Sequence, residues 1–165
     1  MALAAIHENL GDPACVQNFT VLDSTYSGIT IELPVYVSNL AQFIGGAILN
    51  DNVAAARTGV IHGNTVFRDF SSNLGGIVDG NAIFLGDSVM GDPDLPSGEI
   101  NGTAEFRGDS IMANGTVRCN ASFIENSARS GGTVYGTVTC STTLACFTTS
   151  AGACNNTAPE SCPAP

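Results

Sequence analysis

A histidine can act as a general base or bind a metal, and this chain has two, His7 and His62. Neither stands beside a cysteine or a cluster of carboxylates in the sequence, so His62 reads as a surface side chain. The carboxylates Asp87 and Asp109 recur in matching triplets, Gly86-Asp87-Ser88 and Gly108-Asp109-Ser110. Stacked carboxylates could hold Ca²⁺ or pair as acid and base. The next copy of the triplet carries Asn126 instead, so solvated turn residues are the simpler reading, as they are for Asp92-Pro93-Asp94. There is no Ser/His/Asp set, no phosphate loop and no CxxC metal pair. The expectation is therefore no catalytic residue, no cofactor, no metal ion and no enzymatic activity.

The remaining reactive groups are the six cysteines, at 15, 119, 140, 146, 154 and 162. Four of them follow residue 139. Cys140 and Cys146 could bridge the interior of the last structural repeat, and Cys154 and Cys162 could staple the tail. Cys119 replaces a small inward residue and reads as a buried thiol. This clustering suggests reinforcement of one end in an oxidising medium. Sequons at Asn18, Asn101, Asn114, Asn120 and Asn155 matter only if the chain is secreted in a glycosylating host.

What must position these groups is a repeat. Gly59-Val60-Ile61-His62-Gly63-Asn64-Thr65-Val66-Phe67 returns from Gly76 to Phe84, from Gly98 to Phe106 and from Gly115 to Phe123. A degraded copy runs from Gly132 to Cys140. The phenylalanines at 67, 84, 106 and 123 are 17, 22 and 17 residues apart, and the 22 is 17 plus an insertion of five near Pro93-Asp94-Leu95-Pro96-Ser97. A short fixed period dictates architecture. Alternate residues in each copy are apolar or small, which is strand period. Seventeen residues is too short for a helical repeat and suits two or three short strands joined by turns. Stacked in parallel, such units rise ~4.8 Å each.

The predicted fold is all-β, a single-stranded β-solenoid of about six 17-residue coils. Phe67, Phe84, Phe106 and Phe123 would form an inner column, with Gly63, Gly80 and Gly102 and Ala82, Ala104 and Ala121 as small columns beside it. Ser71, Ser88, Ser110 and Ser127 would form a polar column at a corner or inside. The opening glycines Gly59, Gly76, Gly98, Gly115 and Gly132 would turn the backbone with φ > 0. Three parts are expected: an N-terminal assembly or capping segment over 1–41, the solenoid over 42–148 and a Cys/Pro-rich tail over 149–165. The first coil is placed at 42–58, with Ile44, Gly46 and Ile48 inward and Asn50 where Phe belongs.

The expected outer positions carry an asymmetry. Phe43, Val60 and Ile77 form one apolar column, and Leu49, Val66 and Ile83 another. Later copies place Glu99, Thr116 and Thr133, and Glu105, Ser122 and Thr139, at the same sites. At ~25 cal/mol per Å² of apolar area, six such side chains are not left to water. Either residues 20–40 cover them or other subunits do.

The net charge of −10 argues against nucleic acid and anionic membrane as partners. No apolar run reaches the ~18 residues of a membrane span. The first residues lack the basic and apolar regions of a secretory signal.

The motif Gly-Thr-Val-x-Gly-x-Ala-x-Phe with Ser four residues on, clearest at 98–110 and 115–127, resembles short tandem repeats in β-solenoid surface and virion proteins of phages, viruses and bacteria. That resemblance implies a non-enzymatic structural protein of a particle surface, a capsid decoration, cement or fibre-type subunit. It would self-associate as a homotrimer and dock on other structural proteins of the particle. An extracellular filament or cell-surface subunit is the alternative. A carbohydrate-binding or carbohydrate-cleaving β-helix would need an aligned aromatic or acidic row, and Tyr26, Tyr36 and Tyr135 do not align.

Overall fold

The computed structural model describes residues 16–22, 30–31, 34–49, 51–52, 57–92, 94 and 98–141. These are all-β, with no helix among them, and nearly all strand pairs are parallel. The connectivity is consistent with a β-solenoid. Strands recur at the sequence period and form three ladders. The first stacks the start of Val60–Arg68 on Ile77–Val78, Glu99–Ile100, Thr116–Val117 and Thr133–Val134. The second stacks Pro34–Ile44, the end of Val60–Arg68, Ala82–Leu85, Ala104–Phe106, Ala121–Phe123 and Val138–Cys140. The third stacks Thr30–Ile31, Ile48–Leu49, Ser72–Asn73, Val89–Met90, Ile111–Met112 and Ala128–Arg129. The long strands Pro34–Ile44 and Val60–Arg68 run through both of the first two ladders and join them into one sheet.

Register puts like beside like. Phe67 pairs with Phe84, Phe84 with Phe106 and Phe106 with Phe123. Their ring centroids are 4.7 Å apart and their planes within 8° of parallel. That separation equals the spacing of hydrogen-bonded strands, so the rings stack because the backbone does. All four are fully buried. Beside them Ile61, Val78, Ile100, Val117 and Val134 fill the buried side of the first ladder.

Two kinds of close approach shape the rest of each repeat. A Cβ on Gly80 would fall 2.4 Å from the carbonyl oxygen of Gly63, and one on Gly102 2.5 Å from that of Gly80. The backbones touch there, and no side chain fits between them. The opening glycines have a different reason. The Leu49 side chain lies where a Cβ on Gly76 would go, 2.2 Å from it, and Asn73 stands in the same relation to Gly98 at 2.5 Å. Positive φ, expected at all the opening glycines, occurs only at Gly115 and Gly132. The consistent left-handed position is the turn between the second and third ladders, at Gly45, Asp69, Gly86, Gly108 and Glu125, with φ between 59° and 70°. Two residues on, Ser71, Ser88, Ser110 and Ser127 are all buried. The Ser127 hydroxyl donates to the carbonyls of Phe106 at 2.9 Å and Ile124 at 2.8 Å, tying the turn to the repeat before it.

The start of the array differs from the expected frame. Pro34–Ile44 is one strand that crosses the expected boundary at 41/42, and Val16–Leu22 pairs parallel with it. Phe43, not Asn50, occupies the phenylalanine column, stacked on Phe67 at 4.9 Å. The placement over 42–58 is therefore corrected by a shift of phase. Its cause is an insertion. Leu49 to Ile61 spans twelve residues, whereas Asn73 to Val78 spans five, and the seven extra hold a small antiparallel pair, Asp51–Asn52 with Arg57–Thr58. A second irregularity between Tyr36 and Leu40 shifts the register again. Pro34 is the first residue of its strand, where its missing N–H costs no ladder bond.

Replacing Phe84 by Ala should lower unfolding stability by ~3–5 kcal/mol, because the ring is stacked on both faces and the strand spacing prevents collapse around the gap. Gly80→Ala should cost a comparable amount, since rigid carbonyl backbone blocks the new methyl. Denaturant midpoints followed by circular dichroism measure both.

Candidate interaction surface

The outer side of each ladder is a set of columns that can be followed residue by residue. On the first ladder the outer column reads Val60, Ile77, Glu99, Thr116, Thr133. On the second it reads Gln42, Val66, Ile83, Glu105, Ser122, Thr139. Of the six residues expected on the outside, Val60, Ile77 and Ile83 are outward and half-buried, and Val66 shares their column with 8% of its surface exposed. Phe43 and Leu49 do not belong to this set. Both are fully buried, Phe43 in the aromatic column and Leu49 over Gly76. The insertion at 51–58 put them out of phase with the repeat as read from the sequence. From Val60 and Val66 onward both outer columns change from apolar to carboxylate and then to hydroxyl as the ladder advances, with the polar Gln42 preceding Val66.

Between the first two ladders runs a polar corner column: His62, Asp79, Asn101, Arg118, Tyr135. The Asp79 carboxylate holds His62 Nδ1 at 2.5 Å through one oxygen and accepts from Asn101 Nδ2 at 2.8 Å through the other. His62 is thus not an isolated surface side chain. Its carboxylate partner lies 17 residues away in sequence and one strand away in space. Arg118 donates to Glu99 at 2.6 Å and lies over the Tyr135 ring, 5.4 Å from its centroid. The bond to Glu99 holds the Arg118 guanidinium above its ordinary pKa, and Glu105 does the same for Arg107. The partly exposed Arg118–Glu99 pair adds ~0–1 kcal/mol. The next column, Asn64, Asn81, Thr103, Asn120, Thr137, is exposed throughout. Its asparagine Oδ1 atoms accept backbone N–H groups from the following repeat: Asn64 from Asn81, Asn81 from Thr103 and Asn120 from Thr137, at 2.8–2.9 Å. These two columns are cross-links between repeats. They hold no nucleophile beside the histidine and no third metal ligand.

Asp87 and Asp109 sit exposed in the left-handed turn column, whose other members are Gly46, Phe70 and Asn126. Phe70 is 71% exposed. The third ladder's outer column is Ile48, Ser72, Val89, Ile111, Ala128, and Ile111 is 38% exposed. Neither feature stands out in the sequence, because Phe70 falls at a position the repeat motif leaves unspecified and Ile111 lies just past its final serine. Writing the copies one under another at the 17-residue offset exposes both.

Burial pushes the Arg129 guanidinium below its ordinary pKa. It occupies the inner column after Met90 and Met112 and donates to the carbonyls of Gly131 at 3.2 Å and Gly132 at 2.6 Å. Cys119 is not a free buried thiol: Cys119 and Cys140 are each disulfide-bonded. Cys140 pairs in register with Phe123, four residues along the chain from Cys119. Cys146, Cys154 and Cys162 lie outside the described residues. Reduction should lower the thermal midpoint by an amount corresponding to ~2–5 kcal/mol per bridge. Hydrogen exchange should accelerate over residues 116–141 and stay slow over Val60–Arg68, as mass spectrometry of reduced and oxidised protein would show.

The chain matches no family model, no curated protein and no solved structure.

Proposed function

We propose that this chain is a non-enzymatic structural subunit of a particle surface, a capsid decoration, cement or fibre-type protein. Its ladders close into a β-solenoid of about six coils, and it assembles as a homotrimer through the outer columns of the N-terminal coils. The observation that carries this reading is the change along those columns. Val60 and Ile77 give way to Glu99, Thr116 and Thr133, and Val66 and Ile83 to Glu105, Ser122 and Thr139. The ladders that carry Ile77 and Ile83 continue in register through Glu99 and Glu105, so strand pairing does not demand apolar residues at one end. A contact made only there does. The partly exposed apolar area of Val60, Ile77 and Ile83 is covered when subunits meet, at ~25 cal/mol per Å², whereas Val66 is already buried within the chain. The acidic and hydroxyl-bearing levels beyond it then face water or the other proteins of the particle.

The cysteines favour a second reading, an extracellular filament or cell-surface subunit, because Cys119 and Cys140 are oxidised and disulfides persist outside the reducing cytoplasm. Light scattering of the purified protein separates the two. A closed trimer supports the particle subunit, and an open-ended polymer supports the filament. The variant Val60→Thr/Ile77→Thr/Ile83→Ser carries residues found in the same columns of later repeats, so it should fold and bind its own kind at least tenfold more weakly. Trimers as tight as those of the native chain would overturn the assignment of these columns.

A further inference from the structure

A ring of identical subunits needs two different patches on each copy, because each contact is head-to-tail. The columns of Val60, Ile77, Val66 and Ile83 supply one. The third ladder supplies a second. Its outer column, Ile48, Ser72, Val89, Ile111, Ala128, carries no charged residue at any level. The two large apolar side chains exposed among the described residues, Phe70 at 71% and Ile111 at 38%, lie on this face and on the turn at its margin. Phe70 also breaks its own column, where the next two repeats place Asp87 and Asp109. Its side chain does nothing for the turn, whose backbone is set by the left-handed residue before it, Asp69 at φ 59°. An exposed aromatic with no structural duty is the kind of residue that anchors interfaces.

We infer that this strip is the complementary half of the subunit contact, and that its occupant is the Val60–Ile77–Val66–Ile83 patch of a second copy. The inference rests on the self-association proposed above. Charge selects the occupant. Copies of a chain with net charge −10 repel one another, and they approach best through faces that lack carboxylates. On the first and second ladders that condition holds only at the N-terminal levels, before Glu99 and Glu105. On the third it holds along the whole outer column, although the turn at its margin carries Asp69, Asp87 and Asp109. Height matters as well. Phe70 stands at the level of Val60 and Val66, and Val89 at the level of Ile77 and Ile83, since each set belongs to one repeat; Ile111 stands one level on, beside Glu99 and Glu105, and lies outside the contact. Patches at equal height meet by rotation about an axis along the stack, which closes a ring. Patches at different heights would build a helix.

The test uses residues borrowed from the same columns. Phe70→Asp/Val89→Ser copies Asp87 and Ser72 and disables the strip. Val60→Thr/Ile77→Thr/Ile83→Ser disables the other patch. Circular dichroism confirms that both fold, with Phe70→Asp alone in reserve. Light scattering then reads mass. Each variant alone should be monomeric, its self-association weakened at least tenfold, while an equimolar mixture should form dimers and nothing larger, because one intact patch of each kind remains. If the strip variant forms trimers like the native chain, the inference falls and the proposed function stands. If only the strip variant is monomeric, or if the mixture stays monomeric, the two-patch contact is overturned. If the native chain is itself monomeric, the proposed function fails first.

Discussion

The phenylalanine rings lie 4.7–4.9 Å apart, at the strand spacing. Parallel in-register pairing therefore fixes more than the backbone: it requires that whatever side chain stands at one level be compatible with a near-copy of itself directly above and below. An aromatic ring meets this condition by stacking face to face with a lateral offset. A glycine meets it where backbones touch. Asparagine meets it by passing its side-chain oxygen to the next backbone N–H. Charge does not meet it alone: in the corner column the Asp79 carboxylate lies between His62 and the donating Asn101, and Arg118 donates to Glu99 of the neighbouring column.

The same condition explains why the repeat tolerates insertions but not changes of phase. Five extra residues between Met90 and Glu99 and seven between Leu49 and Ile61 are accommodated at one corner, where the chain leaves the third ladder and returns to the first. Within a ladder a one-residue slip would turn every buried side chain outward. The two-residue turn with its left-handed position allows no such freedom. Asp69 and Glu125 adopt φ near +60° there although neither is glycine, so stacking against the neighbouring turns outweighs the ~1–2 kcal/mol of local strain.

Much of this was legible because the period is short. The spacing of Phe67, Phe84, Phe106 and Phe123 predicts both the strands and the aromatic column. The five-residue insertion places itself by subtraction. Phe43 was not legible, because the hairpin at 51–58 has no counterpart in later repeats and shifts the frame by seven residues. Alternation alone cannot tell an inward Phe from an outward one once phase is lost. The partnership of His62 with Asp79 escaped for another reason. Sequence neighbours suggest ligands and ion pairs in compact loops, whereas in a stacked array the nearest neighbour is one repeat away. Turn chemistry predicts positive φ at the opening glycines, but at Gly76 and Gly98 the requirement is space, since Leu49 and Asn73 from two repeats earlier lie over them. A requirement that arises between repeats has no local signature.

Stacked arrays separate stability from recognition in an unusual way. The buried columns are nearly invariant from level to level: Ile61, Val78, Ile100, Val117 and Val134 on one ladder, phenylalanine on the next. They determine that the chain folds and contribute little to distinguishing one level from another. The outer columns are free of that constraint, so any ordered change along them reflects something other than folding. On two ladders the change runs from apolar to acidic to hydroxyl. On the third, charge never appears. Three ladders carried by one backbone thus have different surface chemistry at the same level. That is the geometry in which side-by-side association of like chains becomes a problem of matching faces, with the height of each patch deciding between a closed ring and an open fibre.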